Sequence, residues 1–215
     1  MILETLKENF KYIVVVDTEF KGQQDEGQLN DPICVVFDEI VNDKQHIFTG
    51  KKWKLPYPSK DTIYICHNAI AEAHTFLAAG NKLPEFWWDT FIEDKKLYFG
   101  KVDKHSLLAA CGRYGIQTIS EDLKKYFINK IILANETYTD EQLQTIVNYC
   151  KSDVKANKEL FLKQIEDIEK TRNLDGPQMV ISQALFSGAA VAYTAQVEFN
   201  GIHVNNDLLN KIDDA

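Results

Sequence analysis

Short apolar runs separated by polar segments occupy the first third of the chain. Runs rich in Val and Ile at about 12–19, 33–40, 45–49 and 62–66 predict four β-strands. The segments KGQQDEGQLNDP and KKWKLPYPSKD lie between runs and carry Gly or Pro among polar residues, which predicts loops. Residues 12–16 are apolar on both faces, so we expect the first strand to be covered on both sides.

After residue 65 the apolar residues follow helical periodicity. The stretch AIAEAHTFLAA predicts a helix that ends at Gly80, because glycine commonly terminates helices in the left-handed conformation. The next segment, WWDTFIEDKKLY, predicts a short strand or turn that leads into a helix from Asp89. Strands first, then helices alternating with strands, predict an α/β fold with a mixed sheet flanked by helices.

Four further helices are predicted from about residue 104 onward, the last of them after Gly176 and Pro177. Two lie near 104–114 and 119–129, and Thr118 has capping-box spacing with Glu121 at the start of the second. The longest begins at Thr139, which has a Gln three residues later, and runs past residue 160.

The stretch RNLDGPQ, with Gly and Pro side by side, predicts a domain boundary. We therefore divide the chain into a domain of residues 1–171 and a second segment, 172–215.

Composition narrows the class of protein. The chain has 215 residues, of which 45% are apolar, so one domain of ordinary size can form a substantial core. Its net charge of −8 excludes a strongly basic footprint for duplex DNA but leaves binding of a short single strand open. The four cysteines are far apart and show no zinc spacing, so we expect buried, reduced thiols. With no signal peptide and no apolar run of membrane-spanning length, we expect a cytoplasmic protein without a membrane partner.

The strand KYIVVVDTEF ends in two carboxylates. Asp17 and Glu19 are two residues apart, so on a strand they point to the same face as Ile13 and Val15. Two like charges held on one face are costly unless a cation lies between them. Carboxylate oxygens suit Mg²⁺ or Mn²⁺, so this pair is a candidate metal site. Solvated acids beyond the end of the strand are the alternative.

Two further pairs of polar residues are spaced for one helical face. Asn68 and Glu72 stand four residues apart at the start of the first long helix. Tyr149 and Asp153 have the same spacing within the longest helix, beside its apolar stripe. Asp153 is therefore inclined toward the core, where a lone carboxylate is expensive.

These three groups together resemble the motifs of the DEDD 3′–5′ exonucleases. The matching motifs are D-x-E on a strand, H-N-x-x-x-acid at a strand–helix junction and Y-x-x-x-D on a late helix. The tyrosine is typical of one branch of that superfamily, and within it the chain looks most like the proofreading domain of family A DNA polymerases, especially phage enzymes. The DT of WWDT also recurs there. The resemblance covers about residues 10–165 and continues weakly through QVEFNGIHVN, which is similar to the start of the polymerase region.

The resemblance implies an RNase H-like fold and stepwise hydrolysis of single-stranded 3′ DNA ends, in a bacterium or a phage-infected cell. It also implies that residues 172–215 begin the connection to a polymerase region of the same longer chain, since no polymerase motif occurs here. It assigns two divalent ions, Mg²⁺ or Mn²⁺, to four catalytic carboxylates and the orientation of water to a tyrosine. Position by position, the ligands are Asp17, Glu19, Glu72 and Asp153, the water-orienting residue is Tyr149, and the substrate contacts are Thr18 and Asn68.

One departure from the family pattern and several simpler roles remain open. Glu72 stands where the family usually has Asp, and it could merely complement the helix dipole. Asn68 could be only a helix cap, Asp89 is favoured as a cap over a ligand, and Tyr149 could be ordinary core. His67 and His74 are expected to be structural or solvated. Four basic residues could contact phosphates, but scattered surface charge is favoured for them: Arg113, Lys124, Lys125 and Lys151.

Two other functions stay open on the sequence alone. The first is an RNA-trimming 3′–5′ exonuclease of the same superfamily, which shares the motifs but not the DNA substrate. The second is a degenerate, non-catalytic domain that binds single strands or braces a polymerase, an alternative that Glu72 keeps open.

Overall fold

A computed structural model describes residues 1–22, 30–134, 136–171, 176–201 and 205. The predicted loop after the first strand and the predicted boundary therefore lie partly outside the described residues, at 23–29 and 172–175. The same holds for most of the segment after residue 201.

Five strands and seven α-helices make up the described fold. The strands are β1 (Tyr12–Lys21), β2 (Asp31–Glu39), β3 (Lys44–Thr49), β4 (Thr62–Cys66) and β5 (Phe86–Asp89). The helices are α1 (Ile2–Asn9), α2 (Ala69–Ala78), α3 (Thr90–Tyr98), α4 (Leu107–Arg113), α5 (Glu121–Phe127), α6 (Asp140–Thr171) and α7 (Gly176–Asn200). A single π-helical turn, Ile128–Ile132, follows α5.

The strands form one mixed sheet in the order β3-β2-β1-β4-β5. β1 is antiparallel to β2 and parallel to β4, while β5 extends the parallel half. β1 is thus central and covered on both faces, as its unbroken apolar run predicted. The mixed sheet flanked by helices confirms the predicted fold class.

The two faces of β1 pack into two separate clusters. Ile13 and Val15 belong to the cluster beneath α6, whereas Val14 and Val16 belong to the cluster beneath α2. Because side chains alternate along a strand, Asp17 continues the face that is covered by α6. This alternation brings the acids of β1 to the face on which α6 packs.

Helix caps follow the predicted chemistry with one correction. Thr139 and the Gln three residues later exchange the two hydrogen bonds of a capping box, at 2.9 and 3.2 Å, which confirms the start of α6. Gly80 takes φ of 78° just past the end of α2, as a terminating glycine should. The predicted cap at Thr118 is wrong, because Ser120 caps α5 by accepting from the Leu123 amide.

Helix α7 packs on the same sheet as the rest of the described fold. Its buried residues include Ala184, Gly188 and Ala192, and it lies against α2 and β5. At Gly188 the backbone of α7 approaches β5 so closely that a Cβ atom there would lie 2.4 Å from the Trp87 carbonyl oxygen. The division at residue 171 stays a prediction, and α7 contributes to the core on the other side of it.

By length and composition alone, α7 is apolar enough to cross a membrane. This corrects the expectation that no apolar run reaches that length. Core helices pass the same test, and the packing of α7 on α2 and β5 gives its buried face a partner within the fold.

Candidate active site

The carboxylates predicted from three motifs converge at one end of the central strand. Asp17 and Glu19 come from β1, Glu72 from the first turn of α2 and Asp153 from the middle of α6. The charges of Asp153 and Glu72 both act on Asp17, so the three groups are close enough to interact electrostatically. The fold therefore gathers onto one site groups that lie up to 136 residues apart in sequence.

The pKa values of these acids are raised. Burial, followed by the negative charge of Asp153, raises the pKa of Asp17 from 3.8 to about 8. Burial is also the main cause for Glu19 and Glu72, each of which has a pKa well above its usual range, and the charge of Asp17 adds to both shifts. Such a cluster favours the binding of a cation, because a positive charge relieves the repulsion and restores the ionised forms.

Two buried carboxylate oxygens at the site lack a hydrogen-bond partner among the described residues. They are Oδ2 of Asp17 and Oε2 of Glu72. An unpartnered buried oxygen is costly, and native proteins rarely leave one without a role. The donor set fits a hard divalent ion such as Mg²⁺ or Mn²⁺, which prefers oxygen ligands.

Cys150 lies beside these acids and is not part of the predicted ligand set. Its sulfur and one oxygen each of Asp17 and Glu19 lie within 4.8 Å of one another. Its thiol donates to the Asp17 carbonyl oxygen at 3.2 Å, and burial raises its pKa well above the usual value. A protonated thiol engaged in this way fixes the backbone of β1 against α6 and is a poor ligand for a hard cation.

Tyr149 lies one helical turn before Asp153 and is nearly buried. Its phenol is close enough to Asp153 for the two groups to interact electrostatically, and its ring packs on Phe127 with the centroids 4.5 Å apart. Burial and the charges of Asp153 and Glu19 raise the pKa of the phenol above its usual value. The hydroxyl therefore stays protonated at neutral pH and can orient a bound water without acting as a base.

Lys124 is the site residue that sequence reasoning left among the surface charges. Its ammonium lies 3.3 Å from Oδ2 of Asp153 and 5.6 Å from the centre of the Tyr149 ring. It is a short-range cation in an otherwise acidic site, and it lowers the pKa of Asp17 and Glu19. Its position depends on how α5 packs against α6, which no local pattern in the sequence encodes.

The predicted substrate contacts, Thr18 and Asn68, differ in their placement. Thr18 is buried on the opposite face of β1, and its hydroxyl donates to Oγ1 of Thr75 at 3.4 Å. Its side chain therefore joins β1 to α2, which leaves the backbone as its available contact. Asn68 is exposed at the start of α2, where a nucleic acid strand can reach it. Its φ of 78° places it in the left-handed region, which Asn tolerates better than most residues.

Asp89 is a helix cap, as predicted, and it holds two helices instead of one. Its carboxylate accepts from the Phe91 and Ile92 amides at the start of α3. It also accepts from the Asn68 and Ala69 amides at the start of α2, at 3.0 and 2.9 Å. Because these four donors account for its oxygens, Asp89 fixes the origin of the helix that carries Glu72.

The two histidines flanking this region are structural, as expected. The ring nitrogens of His67 lie 3.0 Å from Oγ1 of Thr90 and from the His105 carbonyl oxygen, and burial lowers its pKa to about 4. His74 pairs with Glu198 of α7 at 2.6 Å.

Comparison with solved structures supports the fold. The chain is similar to Brucella melitensis NrnC with bound Mg²⁺, with a TM-score of 0.61, 18% identity and coverage of 90% of this chain and 89% of that one. It is similar to the same protein bound to pGG, with a TM-score of 0.59, 20% identity and coverage of 90% and 88%. Escherichia coli RNase D, an exoribonuclease involved in structured RNA processing, gives 0.57 and 13% identity over 91% of this chain and 48% of RNase D.

No protein-family model and no curated protein sequence matches the chain. At such low identity, the structural likenesses concern the fold and not the substrate. The five-stranded mixed sheet and its flanking helices form the predicted RNase H-like fold, as seen in NrnC and RNase D.

Proposed function

We propose that this chain is a metal-dependent 3′–5′ exonuclease that removes nucleotides from single-stranded 3′ ends. The observation that carries the proposal is the convergence of Asp17, Glu19, Glu72 and Asp153 from three elements, with buried oxygens of two of them unpartnered. Clustered buried carboxylates cost free energy in the absence of a cation, and they form a binding site when a cation is present. The Mg²⁺ found with the structurally similar NrnC supports a divalent ion here.

The four carboxylates would hold two divalent ions, Mg²⁺ or Mn²⁺. When bound, such ions lower the pKa of water and neutralise the charge that develops on a phosphodiester undergoing in-line displacement. Asp17 and Glu19 are fixed by the central strand, and Asp153 by a helix of 32 residues, so the donor oxygens are preorganised. Glu72 is supplied by α2, whose origin Asp89 holds.

Tyr149 and Lys124 complete the proposed chemistry. The protonated Tyr149 hydroxyl would hold the attacking water in line with the scissile phosphate. The Lys124 ammonium, held next to Asp153, would lie near the scissile phosphate and offset its negative charge. Asn68, exposed at the start of α2, would contact the terminal nucleotide.

The orientation of Glu72 argues against the degenerate, non-catalytic alternative. Its side chain is buried, and its charge interacts with Asp17 despite the extra methylene relative to Asp. A residue that had lost its role would be expected to turn toward solvent, because a buried carboxylate without a partner is unfavourable.

The nature of the substrate is a finer proposal. Proofreading of DNA within a family A polymerase rests on the resemblance carried by the motifs and by QVEFNGIHVN, together with the cytoplasmic location it implies. RNA trimming is the second candidate, favoured by the structural likeness to NrnC bound to pGG and to RNase D. Both candidates use the same site. They differ in whether the substrate sugar is deoxyribose or ribose and in whether the domain belongs to a polymerase.

A cleavage assay tests the proposal directly. Matched DNA and RNA oligonucleotides with a 5′ label are incubated with Mg²⁺, with Mn²⁺ or with EDTA. We expect a ladder that shortens from the 3′ end with either metal and no cleavage with EDTA. Asp153→Asn should remove nearly all cleavage, whereas Asp103→Asn, at an exposed position outside the site, should not. Equal cleavage by the wild type and Asp153→Asn would refute the assignment.

A further inference from the structure

A row of cations continues from the acidic site across one edge of the sheet. In the strand register, Glu19 lies opposite Cys34 on β2, and Cys34 lies opposite Thr49 at the end of β3. Neighbouring strands are about 4.8 Å apart, so the Thr49 backbone is only about 10 Å from that of Glu19. The segment that follows β3 therefore begins within two strands of the proposed metal site.

The first members of this row are Lys21 and Lys51. Lys21 is two residues beyond Glu19, and its ammonium donates to the Glu136 carbonyl oxygen at 2.9 Å. Lys51 lies 2.8 Å from Oδ1 of Asp31, the residue opposite Lys21 in the register. Both lysines line one open groove, together with Tyr138. The groove thus connects the end of β1 with the segment after β3.

The segment KKWK after β3 is firmly anchored. Trp53 is 5% exposed, and its ring packs against those of Phe37 and Phe76, with centroids 5.6 and 5.3 Å away. The Asn81 side chain donates to the Trp53 carbonyl oxygen and accepts from the Leu55 amide. The buried Trp53 therefore anchors the segment, and the lysines on either side of it point to solvent.

These lysines carry little neutralising charge nearby. Lys51, Lys52 and Lys54 are exposed and line a second groove with the end of α2, and Lys82 is exposed next to the anchoring Asn81. Within the described part of the chain, Lys52, Lys54 and Lys82 form no salt bridge. On a protein with net charge −8, this group of exposed lysines, in which only Lys51 has an acidic partner among the described residues, is a local exception. Because Trp53 and Asn81 hold the backbone of this segment, less of the chain has to be ordered when a polyanion binds.

We propose that this basic edge, defined as Lys51, Lys52, Lys54 and Lys82, binds backbone phosphates of the nucleic acid strand on the 5′ side of the nucleotides held at the acids. The proposal rests on the proposed function for the direction of the strand. It gives the enzyme a preference for strands several nucleotides long, because a dinucleotide placed at the acids is too short to reach Lys52 and Lys54.

The double variant Lys52→Gln/Lys54→Gln separates the basic edge from the chemistry. Cleavage of a DNA strand of about 20 nucleotides should lose about tenfold in kcat/KM, while cleavage of a dinucleotide should stay within about twofold. The slope of log K against log salt for the longer strand should become shallower by about 1.4, or about 0.7 for each phosphate contact on a single strand. Lys163→Gln/Lys170→Gln, at two exposed positions near the end of α6, is the matched control.

Binding measured without cleavage keeps the two proposals distinct. Fluorescence anisotropy of the labelled longer strand in EDTA reports binding separately from cleavage, and the comparison with the double variant isolates the share that the basic edge contributes. The wild type and all variants could fail to cleave while the double variant binds the longer strand more weakly and with the shallower slope. That result would support the basic edge and refute the proposed function. If affinity and slope match those of the wild type and the control, or if dinucleotide cleavage falls as much as that of the longer strand, the basic edge is refuted.

Discussion

Replacing Asp17 with Asn should stabilise the metal-free protein at alkaline pH and abolish cleavage. In the wild type, burial and the charge of Asp153 raise the pKa of Asp17 from 3.8 to about 8. The folded state without metal must therefore either hold a proton on this carboxyl or tolerate an unfavourable charge. Asn keeps the size of the side chain and cannot ionise, so the variant avoids this cost.

The sign and size of the effect follow from proton linkage. Between about pH 4 and pH 8 the folded state holds the Asp17 proton and the unfolded state does not, so the free energy of unfolding falls as pH rises. The loss is absent below the unfolded pKa and complete above pH 8. A pKa difference of about 4 corresponds to about 6 kcal/mol, because each pH unit contributes about 1.4 kcal/mol. The variant lacks this loss, although the other acids of the site still contribute a pH dependence.

Urea unfolding at pH 5 and pH 8.5 in EDTA measures this difference. The wild type should lose several kcal/mol more than Asp17→Asn between the two pH values, and Asp103→Asn should behave like the wild type. Mg²⁺ at pH 8.5 should stabilise the wild type more than Asp17→Asn, because a ligand that binds only the folded state adds its binding free energy to stability. If Asp17→Asn loses as much stability with pH as the wild type, the carboxyl is not held in a strained charged cluster.

Three other substitutions test separate parts of the structure. Tyr149→Phe keeps the ring and loses the hydroxyl, so single-turnover cleavage should slow at least tenfold with little change in binding; an unchanged rate would make Tyr149 a packing residue. Glu72→Ala should cost at least a hundredfold in rate, and Glu72→Asp should also be slower, because the site is built for the longer side chain; a faster Glu72→Asp would favour the degenerate alternative. Gly188→Ala should lower the melting temperature, at a cost of about 1–3 kcal/mol, because its methyl group meets the Trp87 carbonyl. Gly112→Ala, in a helix with open space around it, should be neutral or stabilising, and equal effects of the two would refute the close approach of α7.

The sequence predicted the elements well because their patterns are local. A strand buried on both faces shows as an unbroken apolar run, and the capping box at Thr139 is complete within four residues. The three acid motifs were found for the same reason, since each depends on spacing within one element. The cap of α5 was missed because Thr118 and Ser120 are both acceptable caps, and the choice depends on where the chain enters the helix.

The position of Lys124 at the site depends on how helices pack against each other. Lys124 has the same local surroundings as its neighbour Lys125, yet the first points at Asp153 and the second pairs with Glu121 on the surface. Helix periodicity gives the face of each residue, but the face that meets α6 is set by how α5 lies on the fold. Such residues are found only once the helices are placed.

Asp89 illustrates how a residue without direct contact with the acids can still determine their geometry. The left-handed backbone at Asn68 directs two successive amides, its own and that of Ala69, onto the Asp89 carboxylate. The same carboxylate caps α3, so the end of β5 and the starts of α2 and α3 are joined at one point. Glu72 follows one turn after this junction, and its longer side chain can reach Asp17 only if the helix begins where Asp89 holds it. Replacing Glu72 with Asp would therefore change the side-chain length that this junction must accommodate.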